Sequence, residues 1–589
     1  MINAPFLATT ALQDFWDKEK DEILFLGSWC MLYDKQNDWN KLNYELMDSP
    51  LKSKDDIIKG MEYCSQTYDV LIERIAKYLN AINGTNYETR YWKLIVGTWF
   101  ATYLYLVYDH YINVKHVLEK YPNLTTLCLS EDSFVTPLHY ENFVSLVESD
   151  FYNLQIFSNL FHLLGYEFPK KKAIPPKTNF KINAVGPLQN IKKLILKIEA
   201  WLQKRMALRV PILLWNIYFP RTLAYRLLNS TRLRATPLNL KDNFITCHEV
   251  PLKNEARNGF AGIQADDAFQ KILLQSLSVH FPVLYLEGYQ KAVEKIRKEW
   301  KQYPKVLMSA NGWFGNEYMK FLAAETIHHG GKLLGYQHGG GYGTNDVFLA
   351  EKLETDLSDR YYTWGWGDES KSNKIYNLPN PKLSVLRSRK IKSKNSSHIL
   401  YVSTAMRRYG MRSVGSDTSV FFYLQNQLDF FDSIPKEIHR HFFLRLFPKE
   451  YGLSQDKRLL SVYPSLKMDN FRKPFLKRLE SVRLVVFDHL STTFLEAINC
   501  DIPIIVFNGG KYNFFRKEAL PYINMLKEAD IYFDNAIDAA VQVRKIFNAP
   551  EIWWQSEQVQ SARVTFMDRY ALGSNDWLKQ WRKELLNWL

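Results

Sequence analysis

His338 stands immediately before three consecutive glycines, Gly339, Gly340 and Gly341, in the segment GYQHGGGYGTND. A neutral imidazole can take a proton from an acceptor hydroxyl, and a protonated one can contact a phosphate. A glycine run costs backbone entropy on folding, so it marks either a close ligand approach or a sharp strained turn. A second constellation is VVFDHLSTTFLEAINCDIPIIVF, where Asp488 and His489 end an apolar run, Ser491, Thr492 and Thr493 follow, and Glu496 comes within the next turns. Hydroxyls and free N–H groups at a helix start attract anions, helped by the helix dipole. Capping needs one hydroxyl; three in a row between apolar runs point to phosphate binding.

Two further segments carry candidate ligands. RLFPKEYG places Arg445 and Lys449 around Pro448, and RRYGMR supplies Arg407 and Arg408. The guanidinium fork matches a diphosphate or a sugar carboxylate; the alternative is a solvated basic face. SANGWFGNEYMKFLAAE sets Ser309, Asn311 and Gly312 at a turn whose backbone N–H groups could face a ligand, and Glu317 opens the next helix. Taken alone that turn reads as a simple tight one. His338 and Glu317 are the candidate catalytic residues, and the remaining residues named, Asp488 included, are candidate donor-binding residues. Asp488 is also expected to order its own turn.

The elements that must position these residues alternate beyond residue 300. Strands are expected at 305–310, 332–337, 361–366, 398–404, 441–448, 482–488 and 502–508, separated by helical stretches. That rhythm implies an α/β fold with a doubly wound parallel sheet, whose ligands bind where strands end and helices begin. The apolar run Ile23–Leu26 before Gly27 reads as a central strand, and long helices are expected near Asp55–Leu79 and Arg90–Leu118. The boundary between an N-terminal acceptor-side domain, 1–295, and a C-terminal donor-binding domain, 296–589, falls just before this alternation. Lys170–Arg209 is a Pro/Lys linker followed by a basic amphipathic stretch with Lys192, Lys193 and Lys197. It suits an anionic membrane surface or an ordinary helix with a charged face.

With 589 residues the chain exceeds one hydrophobic core, and 46% hydrophobic content with 23% charge is that of a folded protein. Lysine and arginine outnumber aspartate and glutamate, 76 against 62, and the net charge of +14 favours anionic partners without choosing among them. Cys30, Cys64, Cys128, Cys247 and Cys500 are scattered and never form a CxxC pair, which argues against a disulfide framework or zinc site and for a reducing compartment. The first residues lack the basic start of a secretory leader, and the longest uncharged run, Leu94–Tyr108, is about 15 residues against the roughly 20 that span a bilayer. A cytoplasmic location, with peripheral contact at the inner membrane, is the expectation.

At these motifs the chain resembles GT-B-type transferases, two Rossmann-like domains facing a central cleft with the donor held mainly by the second. More closely, FLATTALQDFW, FLGSWC, SANGW, QHGGGYG, RLFPKEYG and DHLSTTFLEA together resemble a transferase family of O-antigen and related surface-polysaccharide gene clusters. The resemblance runs over nearly the whole chain. It implies transfer of a sugar from a nucleotide-activated donor to a glycan or lipid-linked glycan acceptor, without cofactor. No metal is expected, because no DxD-like acidic pair adjoins the phosphate loops and cationic groups can neutralise a leaving phosphate. Polyol-phosphate transferases of teichoic-acid synthesis carry a His-Gly motif similar to His338-Gly339 and an Asp-Tyr-Ser-Ser motif similar to Asp488–Thr492. That likeness implies His338 as base, Ser491 and Thr492 as phosphate ligands, and a CDP-polyol donor as the alternative. Transferases of CMP-linked ulosonic acids often carry His-Pro at a strand end, where this chain has Phe447-Pro448; the departure weighs against CMP, while Arg445 and Lys449 suit an acidic sugar. A non-catalytic scaffold of a polysaccharide assembly complex is a reading from another class. Nucleic acid is not an expected partner, since no interleaved aromatic and basic sheet motif is present.

Overall fold

The computed structural model describes residues 4–176, 205–238, 250–367, 373–389, 391, 396–404, 406–512 and 514–589. Lys192, Lys193 and Lys197 of the basic stretch lie outside the described residues. The chain forms two compact units: Met1–Trp215 with Thr236–Leu333 and Arg408–Asp417, and Asn216–Ala235 with Leu334–Arg407 and Thr418–Leu589.

The first unit holds β1 (Phe6–Ala8), β2 (Ile23–Phe25) and β3 (Tyr44–Leu46) as a parallel three-stranded sheet, and β4 (Cys128–Leu129) paired with β5 (Lys170–Lys171). It also holds β6 (Ile212–Trp215) and β8 (Val306–Ser309), parallel in the register Ile212↔Val306; the short strand β7 (Ala235–Leu238) begins at the unit boundary. The expected boundary at 295/296 therefore differs from the division at 333/334, because backbone pairing with β6 keeps β8 and its loop in the first unit. Helix Lys54–Asn83 starts at a Ser53–Asp56 capping box and stops at Gly84, whose φ of 62° suits glycine. The apolar run near residue 100 is buried inside helix Thr98–Lys120. Among the described residues no helix is long and apolar enough to cross a membrane.

The second unit begins with β9 (Lys332–Tyr336), which straddles the boundary and pairs parallel with β10 (Arg360–Thr363), itself parallel to β11 (Ile375–Asn377). A second sheet lies wholly within this unit: β12 (Ile399–Val402), β13 (Phe442–Arg445), β14 (Lys467–Met468), β15 (Leu484–Phe487), β16 (Ile504–Phe507) and β17 (Tyr532–Phe533). Its order is β14-β13-β12-β15-β16-β17, and every adjacent pair is parallel. Central strands ILYV, LVVF and IIVF are apolar on both faces because helices cover both, and all their residues are buried. Tyr401, Phe430, Phe431, Phe442 and Phe507 form the aromatic centre of the core. Counted along the chain the order is 3-2-1-4-5-6, so the winding reverses between β12 and β15 and opens a crevice at their C-terminal ends.

Candidate functional site

Asp488 closes β15 in that crevice. Its buried carboxylate accepts from Thr404 N (3.1 Å), Tyr401 Oη (3.1 Å), Tyr423 Oη (2.6 Å) and Gln427 Nε2 (3.1 Å). The Nδ1 of His489 stands 2.7 Å from Oδ1 of the same carboxylate. With its lone pairs taken by protein donors, Asp488 orders the strand end and the imidazole beside it rather than binding a ligand itself. Sequence alone shows the Asp488-His489 pair but assigns His489 no role; the carboxylate that fixes its ring gives it one.

Three residues on, Ser491 caps helix Thr492–Asn499 by accepting from Phe494 N (3.3 Å). Its hydroxyl also meets Thr493 Oγ1 at 2.8 Å, while Thr492 Oγ1 accepts from Gly340 N at 3.0 Å. All three hydroxyls thus have structural partners, which corrects the argument that capping leaves two for phosphate. Each can still donate or accept a further bond. Glu496 is spent in an ion pair with Lys382, so it is a structural carboxylate and not a donor ligand.

The same contact explains the glycine run. A Cβ at Gly340 would lie 2.6 Å from the Ser491 carbonyl carbon, closer than real Cβ atoms come, and Gly341 has φ +86°. The close approach is therefore made by the Ser491–Thr492 backbone. Gly339 lies against Thr492, where a Cβ would be 3.3 Å from Oγ1. Arg516 secures the loop from its far side, donating to Asn345 O (3.0 and 2.8 Å) and pairing with Glu351, which accepts from Gly343 N at 2.7 Å. Gln337 is buried and clamps Trp364 N, Trp366 Nε1 and Gly339 O.

His338 sits at the start of that loop with its ring partly exposed. Its Nδ1 is 3.2 Å from Tyr342 Oη and 3.6 Å from Oε1 of Glu354. The Tyr342 hydroxyl donates to Glu354 (3.0 Å), as does Tyr361 (2.8 Å), and the carboxylate is fully buried. A proton on Nδ1 is thereby stabilised, which leaves the Nε2 lone pair as the basic one. The exposed ring of Tyr218 stacks on the imidazole, 5.6 Å between centroids and 19° between planes. Neither Glu354 nor Tyr218 announces itself in the sequence, since one is 16 residues downstream and the other 120 upstream of His338.

The arginines divide. Arg407 stays in the second unit with its guanidinium 4.7 Å above the Tyr451 ring, and Lys449 lies 5.0 Å from the same ring. Arg445 is consumed by Asp469, which also pairs with Arg478, so it tethers β13 to β14 instead of facing a ligand. Arg408 belongs to the first unit, where it holds Asp150 with two bonds (3.0 and 2.7 Å) and donates to Trp29 O. It too is structural.

The SANGW loop also belongs to the first unit. Ser309 is buried and accepts from Gly312 N at 2.9 Å, and a Cβ at Gly312 would collide with Ser309 Oγ and Met319, so the loop is a packed turn. Asn311 is the residue before its short helix. Glu317 is buried, its Oε1 accepting from Tyr140 N (2.9 Å), Tyr285 Oη (2.8 Å) and Lys320 Nζ (3.3 Å). An enclosed ion pair of this kind does not serve as a catalytic acid or base on a diffusing substrate, which corrects the expectation for Glu317. Among the described residues no group of three or more His, Cys, Asp or Glu could hold a metal ion.

The fold defines an α/β protein with doubly wound parallel sheets. Residues 5–585 match the LIC12162 family transferase, and the chain belongs to that transferase family. No curated protein matches it. Among solved structures, UDP-GlcNAc 2-epimerase from Neisseria meningitidis bound to UDP-GlcNAc is similar at TM-score 0.37 and 11% identity, over 64% of this chain and 99% of that one. A variant of the wall teichoic acid polymerase TagF is similar at TM-score 0.29 and 10% identity, over 68% of this chain and 97% of that one. At scores this low the fold rests on the sheet orders themselves.

Proposed function

We propose that the chain is a GT-B-type glycosyltransferase that moves a sugar from a nucleotide-activated donor to a growing surface glycan such as O-antigen, without metal or cofactor. The observation that carries this reading is the braced imidazole: His338, backed through Tyr342 by the buried carboxylate of Glu354, on a loop bonded to the start of helix Thr492–Asn499. Nε2 of His338 takes the proton of the acceptor hydroxyl as that oxygen attacks the anomeric carbon. The leaving phosphate accumulates charge beside the helix N-terminus, where backbone N–H groups and the Ser491 and Thr492 hydroxyls favour an anion. The second unit is the donor side and the first the acceptor side. The basic stretch around Lys192, Lys193 and Lys197 holds the protein near an anionic membrane carrying a lipid-linked acceptor.

A turnover screen with nucleotide sugars and CDP-polyols, with and without EDTA, tests this. Release of nucleotide from a nucleotide sugar, lost in His338→Ala and insensitive to EDTA, is the expected result. Turnover of a CDP-polyol alone would replace glycosyl by polyol-phosphate transfer. Binding without turnover of any donor would leave a scaffold.

A further inference from the structure

The loops after β12, β13 and β14 enclose a cavity of about 230 Å³, lined among others by Thr404, Met406, Phe447, Tyr451, Gln455 and Phe471. It lies entirely in the second unit. Three observations set it apart from an accidental hollow. First, Gln455 is only 9% exposed, yet among the described residues its amide has no hydrogen-bond partner. A buried amide left unsatisfied is costly and calls for an external partner. Second, the rim is apolar and open: Phe447, Met468 and Phe471 keep 43%, 38% and 39% of their surface exposed. The Tyr451 ring beside them is flanked by Arg407 and Lys449. Third, Ser454 and Phe471 have φ of 49° and 56°, the left-handed region that non-glycine residues avoid. Ser454 directly precedes Gln455 and its N–H is held by the Glu450 carboxylate at 3.2 Å, so the strain fixes where the amide stands.

We propose that this cavity receives the base and ribose of a nucleoside phosphate. The inference rests on the reading that the second unit holds an activated donor, and it names the part of the donor that is recognised here. Apolar and aromatic walls suit the faces of a planar base, and a carboxamide offers donors and an acceptor side by side to its edge. The size is below the roughly 300 Å³ at which whole drug-sized ligands are enclosed, so one end of the donor enters and the sugar stays outside. The flanking cations favour the phosphate end. Thr404 continues the path: it lines the cavity, and its N–H donates to Asp488 at 3.1 Å, whose carboxylate also holds His489. A phosphate leaving the cavity along Thr404 arrives at the β12/β15 crevice.

Calorimetric titration of the full chain with UMP, CMP, AMP and GMP, and with ribose 5-phosphate as the baseless control, tests the proposal. One base is expected to bind at least tenfold more tightly than ribose 5-phosphate. Gln455→Met, which keeps the volume and removes the amide, should lose at least tenfold of that preference without lowering the melting temperature. Tyr451→Leu should weaken all four nucleotides, and His338→Ala should leave their affinities unchanged. Nucleotide binding that is indifferent to both cavity variants would overturn the inference, as would equal affinity for ribose 5-phosphate. Donor turnover that persists in the Gln455→Met variant with unchanged KM would sink the cavity and spare the transferase reading. Base-selective binding lost in Gln455→Met, with no turnover of any donor, would do the reverse.

Discussion

At the scale of single residues, two imidazoles stand beside buried carboxylates, and the two carboxylates differ. Asp488 is enclosed by five donor contacts and is fixed as an anion acceptor, whereas Glu354 receives Tyr342 and Tyr361 and reaches His338 chiefly through Tyr342. Glu354→Gln keeps the size of the side chain and an acceptor for one tyrosine but removes the charge. A neutral amide no longer stabilises the imidazolium formed when His338 takes a proton. Loss of a general base is worth about 10²–10⁴-fold, so kcat should fall by roughly 10²-fold or more with donor KM little changed. Steady-state kinetics measure both, and a Glu354→Gln enzyme with full kcat would remove the brace from the mechanism.

At the scale of elements, the Arg445–Asp469–Arg478 tether shows why some of the site was legible in sequence and some was not. The strands that carry the loops could be read because LYV, LVVF and IIVF are apolar runs bounded by polar turns, and these runs become β12, β15 and β16. Strands β14 and β17, two residues each, give no such signal, and β14 is exposed. Asp469 follows β14, so nothing in RLFPKEYG reveals that Arg445 is already engaged by it. Glu496 and Arg408 mislead in the same way, since their partners Lys382 and Asp150 are more than 100 residues distant. Glycine runs and hydroxyl clusters mark unusual backbone, but only the packing tells whether a ligand or another loop meets it. Burial by itself would raise the Asp469 carboxyl, but bonds from Arg478 and Arg445, and their charge, outweigh it and hold it below the usual range. The tether's contribution is then complete above the unfolded value near 4 and fades as pH falls through the lower folded value. Asp469→Asn should cost roughly 3 kcal/mol at neutral pH. That difference from wild type should shrink below about pH 4; a difference in urea-unfolding stability that stayed constant down to pH 2.5 would show that the charge is not its source.

At the scale of the whole molecule, the two units answer acid differently because of what each has buried. In the first unit, His110 lies within an aromatic stack with Trp29 and Phe157, and its Nε2 meets Asn153 Oδ1 at 3.0 Å. His280 meets Tyr152 at 2.8 Å on the same helix, Asp150–Leu163. Burial pushes His110 down to about 4; burial, with Arg257 as a lesser cause, pushes His280 down to about 3. Unfolded, both would titrate near 6.5, so below that pH the unfolded chain binds up to two more protons than the folded unit. Stability therefore rises with pH across this window and is lost as pH falls from about 6.5 towards 4, each histidine adding a slope near 1.4 kcal/mol per pH unit. In the second unit His398 and His441 are also lowered, but both are partly exposed, so their effect is screened. Brief proteolysis at pH 7 and pH 5 should then cut first-unit peptides preferentially at the lower pH. A His110→Gln, His280→Gln pair, neutral at both values, should flatten the pH dependence of first-unit cleavage even if it lowers stability overall. Equal cleavage of the two units at pH 5, or an undiminished slope in the double variant, would assign the acid sensitivity to other groups.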